Sequence, residues 1–257
     1  VSSGADVIVS AGDSNTGTGG SVSIRSGSSK RGESGSLSLE TGVSDGLGSS
    51  SGNILMQSGA ALAGFSGSAV LSTGNSLSSA GSIHQRAGSS RAGIGGSIDV
   101  VAGNAALTGG SVRVSSGASS QLQSGHVMIE TAPSSSTSVD SGSINVQTGL
   151  ASGGSSGRIM FGTNDAIEKS GSISLSVGTS QAKGGDINIQ AGFSGVQTGG
   201  HVHVLSGSSE KSASGDISFA SGSSSAGDSG RVEFKTGSSE FGASGEMLMQ
   251  TGSSFEG

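Results

Sequence analysis

The sequence predicts an all-β fold, a parallel β-solenoid, and three observations predict it. An eight-residue unit, Gly-x-apolar-x-apolar-x-(Ser/Thr/Ala)-Gly, returns seventeen times at an average spacing of fifteen residues, with Ala132, Asn164 and Val177 as departures at its last two positions. Inside each unit apolar and other side chains alternate, the period-2 signature of a strand with one covered face. No stretch shows 3.6-residue periodicity framed by helix caps. Short strands at one fixed spacing imply a repeat architecture whose strands stack at about 4.8 Å per coil.

Units begin at 5, 20, 35, 52, 67, 81, 96, 110, 125, 142, 157, 171, 185, 200, 215, 230 and 245. Gly20-Ser-Val-Ser-Ile-Arg-Ser-Gly27 and Gly245-Glu-Met-Leu-Met-Gln-Thr-Gly252 show the pattern near either end. Each apolar position is filled in sixteen of the seventeen copies, with Ala69 and Gln85 as the exceptions. Only the first copy replaces the opening Gly, with Ala5. A flexible Gly/Ser linker has no reason to keep large apolar residues in such register.

Gly at both unit ends is expected to supply the positive φ angles of tight corners. Pro133 falls in one of the two longest gaps, where it costs no ladder bond. Single apolar residues in the gaps (Leu47, Leu77, Leu107, Val139, Ile167, Val196) are expected to plug the ends of a narrow core. Ser and Thr columns hydrogen-bonding between coils, and neighbouring chains, are expected to supplement that core.

Coil length is either one unit or two. Numbering units from zero at Ala5, the gap after odd units is seven residues in seven of eight cases, whereas gaps after even units run from six to nine. Charge alternates in the same way. Odd units with their gaps hold ten basic and four acidic residues; even ones hold only Arg158 and Lys169 against fourteen acids. Two units per coil accounts for both alternations and is favoured. One unit per coil is the alternative, and it would stack Asp186, His201, Asp216, Arg231 and Glu246 as a charge ladder. Residues 1–257 then form a single repeat domain without recognisable caps, an excerpt of a longer repeat protein or a mature chain.

Composition excludes several classes of function. Among 257 residues 50 are Gly, apolar residues make up 31%, charged residues 12%, and the only aromatic type besides His is Phe. A large mixed core of the usual enzyme kind is out of reach. The net charge of -6 argues against nucleic acid, whose phosphates demand clustered Lys and Arg. No apolar run approaches the ~18 residues of a membrane span, and no signal peptide is expected from Val1-Ser2-Ser3-Gly4. Without Cys there is no disulfide framework or thiolate metal site.

Chemistry-bearing motifs are sparse. His201-x-His203 places two imidazoles on one side of a strand, half of a metal site, but solvated outward histidines are the expected reading. On the two-unit coil Glu233 would neighbour His203. Asp186, Asp216 and Glu246 are expected to form a solvated face rather than a cation site. Gly17-Thr-Gly-Gly20 resembles a phosphate loop in composition only, lacking Gly-Lys-Ser/Thr and a following helix. No catalytic, cofactor-binding or metal residue is assigned, and no enzyme activity is expected. Ser-rich turns could carry O-linked glycans.

Gly185-Asp-Ile-Asn-Ile-Gln-Ala-Gly192 and Gly96-Ser-Ile-Asp-Val-Val-Ala-Gly103 resemble repeats of filamentous-haemagglutinin-type surface β-helices. The Ser/Gly bias of all the units is similar to that of Ser-rich β-solenoid repeats of secreted surface proteins. These resemblances imply an extracellular or cell-surface, fibrous or adhesive role without catalysis. The leading expectation is a structural protein, a rigid rod that self-associates into an extracellular filament or sheath. An ice-binding protein and the stalk of a cell-surface adhesin are the alternatives.

Overall fold

Period-2 alternation within a unit is visible in side-chain geometry. Glu233 Oε2 lies 3.1 Å from Arg231 Nη2, and Glu233 Oε1 lies 3.7 Å from Lys235 Nζ. Residues two apart therefore share one side of an extended segment. Phe234, between them, instead meets the ring of Phe219 in the preceding unit, edge-on at 6.3 Å between centroids. The rings of His201 and His203 lie 5.8 Å apart, another i, i+2 pair on a common side.

A computed structural model describes residues 4–135 and 139–254. The chain divides into two units of contact, Val1–Met128 and Ile129–Gly257. In both, repeat units are extended arms joined by loops, and the chain turns back at each loop. The closing end of one arm comes beside the opening end of the next.

These junctions are the best-packed points of the chain. At all sixteen, a Cβ built on the opening Gly would lie 2.9–3.9 Å from the side chain at the seventh position of the preceding arm. Gly110 faces the Cβ of Ala102 at 3.2 Å, and Gly185 faces Cγ1 of Val177 at 2.9 Å. Close approach thus favours glycine at the tighter junctions, Gly20, Gly96, Gly110, Gly125, Gly171, Gly185 and Gly200, while at the others a Cβ would make ordinary contact. The closing glycine is different: Gly103, Gly192 and their equivalents have open space where a Cβ would stand. Apart from Ser194, the described residues with the least exposure are seventh-position ones, such as Ala11, Ser26 and Ala87.

Side-chain branching at the seventh position governs how tightly a junction closes. In the first half Gly20, Gly35, Gly96, Gly110 and Gly125 each donate a backbone N–H to the carbonyl of the glycine that closes the previous arm, at 2.9–3.0 Å. In the second half Gly200 and Gly215 do the same. All seven follow Ala or Ser. Arms ending in Thr41, Thr73, Thr131, Thr148, Thr163, Val177 or Thr236 lack this bond. There the side chain, a Thr methyl at 3.2–3.9 Å or the nearer Val177 Cγ1, faces the next glycine. The extra methyl occupies the gap and keeps N and O apart. Ser58 and Ser221 also stand at junctions without the bond, so an unbranched residue permits closure but does not enforce it.

Loops are set by a serine at their second position. Ser14, Ser29, Ser76, Ser90 and Ser119 in the first half each accept from a backbone N–H two or three residues on, the ST-turn geometry. Ser180, Ser194, Ser209, Ser224 and Ser239 do so in the second. Loops of six or seven residues with Ala61, Ala105, Ala151 or Ala166 at that place have no such bond. The nine-residue loop 43–51 turns differently, with Ser49 N–H donating to Gly46 O and Gly48 at φ 78°.

Four expectations from the sequence are corrected. The β-solenoid, with two units per coil or one, is overturned: the described residues contain no helix and no β-strand. Their backbone bonds span junctions or single turns, so no ladder links one arm to another. Two apolar side chains per fifteen residues leave each arm too little to bury against its own chain. Positive φ at the unit ends is also overturned, since Gly48 is the one described residue that has it. The gap plugs do not plug: Leu77 is 111% exposed, and Leu47, Leu107, Val139, Ile167 and Val196 are exposed as well. Finally, the loop serines bond within their own loops rather than in columns between coils.

Two substitutions test the junction and a third tests the loop. Gly110→Ala should break the bond to Gly103 and speed amide exchange at residue 110 by about fivefold, the equivalent of ~1 kcal/mol. Gly103→Ala, in open space, should leave that exchange rate unchanged. Ser29 accepts from Arg31 and Gly32, so Ser29→Ala should raise tryptic cleavage after Lys30 and Arg31 by a similar factor.

Candidate functional site

No described residue is buried, so a site has to be sought on open surfaces. Apolar side chains at the third and fifth positions share one side of each arm. The most covered of the large ones, Ile159, is still 44% exposed. Third-position residues such as Ile98, Ile187 and Ile217 are roughly half covered, whereas Val100, Ile189 and Phe219 at the fifth position stand further out. The result is a stripe of paired apolar side chains repeated from arm to arm.

Between facing arms the stripe opens into clefts. In the second half Glu233, Phe234, Lys235 and Thr236 face Glu246, Met247, Leu248 and Met249 across about 580 Å³. Its walls are Phe234, Met247 and Met249, and charges stand on its rim. In the first half Gln85, Arg86 and Ala87 face Ser97, Ile98, Asp99, Val100 and Val101 across about 530 Å³. Both clefts lie between an odd, basic arm and the even, acidic arm that follows it.

The second open surface is the backbone. Folded proteins make roughly one internal hydrogen bond per residue. Here the arms' own N–H and C=O groups are almost all without a protein partner, the junction bonds excepted. An extended arm with free donors and acceptors is a template for strand addition.

Titratable groups do not converge. Among the described residues no group of three or more His, Cys, Asp or Glu could hold a metal ion. His201 and His203 are side by side and exposed. Glu233, expected beside His203, is instead held by Arg231 and Lys235 of its own arm. Those pairs are exposed and contribute at most about 1 kcal/mol each. Asp186, Asp216 and Glu246 stand exposed on separate arms. Thr41, Thr73, Thr131, Thr148 and Thr163 turn their methyl groups toward the next arm's glycine. No helix of the described residues is long and apolar enough to cross a membrane.

The sequence exposed the apolar pairs and the charge alternation, and the structure places both at the clefts. It did not expose the seventh-position contact or the loop serine. The signal was present in the Ser recurring two places after the closing glycine, as in Gly27-Ser-Ser29 and Gly192-Phe-Ser194. Compared with protein-family models, curated proteins and solved structures, the chain matches none.

Phe234 forms both a cleft wall and the ring pair with Phe219. Phe234→Ala should therefore lower the fluorescence of an apolar dye such as ANS bound to the unassembled chain, while Phe241→Ala, a loop residue outside the cleft, should not.

Proposed function

We propose that this chain is a structural protein whose copies associate into a filament or sheath outside the cell. One observation carries the proposal: the arms are extended and regular, yet their apolar stripe and their backbone bonding groups both face solvent. The chain exposes 26685 Å², against about 10,000 Å² for a compact protein of this mass. Ordering a chain costs about 1–2 kcal/mol per residue of backbone entropy. A sequence that supplies so little core must recover that cost by burying its arms against other chains. The extracellular setting rests on the resemblance to Ser/Gly-rich surface repeats.

Purified protein should assemble above a threshold concentration into particles visible by negative-stain microscopy. Aligned assemblies should give a meridional reflection near 4.7–4.8 Å, the spacing of paired strands. ANS fluorescence should fall as assembly proceeds. A chain that remains monomeric by sedimentation at ~1 mM, a concentration at which even contacts of about -4 kcal/mol would show, overturns the proposal.

A further inference from the structure

Resting on that reading, we infer that the partner of each arm is the neighbouring arm of a second copy of this chain, displaced by one repeat unit, so that basic odd arms lie on acidic even arms. The free backbone supplies attraction between any two extended arms and by itself selects no register. Charge does select one. Arg25 and Glu40, Arg113 and Glu130, and Arg231 and Glu246 occupy successive odd and even arms. Copies stacked without displacement would place each of these on its own like. Like charges directly opposite on paired strands are unfavourable, and opposite ones are favourable.

A one-unit displacement instead lays each of these basic arms on the acidic arm that follows it. It also keeps sixteen of the seventeen units overlapped, the most that any odd displacement allows. The two clefts show that an odd arm and its even successor already stand face to face within one chain, with Arg86 and Asp99 at one and Lys235 and Glu246 at the other. The same pairing is therefore available to a second copy. A displaced, head-to-tail contact that does not close continues as a filament. The area available is ample, since a stable interface needs only about 1,600 Å².

The absence of Cys from the chain makes the register directly readable. Ser23→Cys and Ser38→Cys place single exposed thiols at the middle of consecutive arms, the fourth position of each. Ser174→Cys and Asn188→Cys do the same in the second half. Under mild oxidation of assembled protein, mixing the two variants of a pair should give disulfide dimers at least about fivefold faster than either variant alone, the selectivity of a few exposed charge pairs. The preference should fall in about 1 M salt, where the screening length is ~3 Å. Assemblies whose single variants cross-link to themselves as fast as to each other overturn the displacement while leaving assembly intact. A salt-independent preference overturns charge as its cause. Monomeric protein in every sample overturns the assembly reading itself.

Discussion

A backbone that is extended but not paired is the constraint from which the other features follow. Each non-proline residue carries a donor and an acceptor, and an extended segment directs them sideways, out of reach of its own residues. Helices avoid this by bonding locally. Here the arms cannot, because glycine, serine and alternating apolar residues give no helical face. The hydrogen bonds seen among the described residues lie at the loops and junctions, where residues close in sequence meet.

Junction geometry explains a repeat pattern that composition alone leaves ambiguous. The two glycines of the unit look equivalent as letters, but one is enclosed by the preceding arm and the other faces open space. A Thr or Val at the seventh position goes with an open junction, whereas Ala or Ser permits a backbone bond between adjacent arm ends. Because closed and open junctions are distributed through both halves, the repeats are not interchangeable copies. Arms after Ala11 and Ala102 are tied by a backbone bond, whereas those after Thr41 and Thr163 are not.

Placing the apolar stripe and the unpaired backbone on the same arms has a functional consequence. Either surface alone is ambiguous: a stripe of half-exposed Ile and Val could meet many apolar partners, and a free strand edge could meet many peptides. Together, repeated at one spacing, they fit best a surface with the same spacing, and the chain itself is such a surface. In the proposed assembly, glycine-rich arms with few charges offer little to prevent association, and the alternation of basic and acidic arms would supply the selectivity that the backbone lacks.

What the sequence determined by itself was local and periodic. Apolar alternation in units such as Gly230-Arg-Val-Glu-Phe-Lys-Thr-Gly237 was enough to indicate extended arms, because a period of two follows from backbone geometry. The loop serines were not read from it, although Gly-x-Ser carries its own turn chemistry. Whether the arms would pair with one another was a tertiary decision, and the solenoid expectation failed there. Strand pairing depends on what lies beside an arm rather than on what is in it, and two apolar side chains per unit do not fix that neighbour. The enclosure of Gly110 by Ala102, and the capture of Glu233 by Arg231 and Lys235 instead of His203, likewise depended on distances that no spacing of letters encodes.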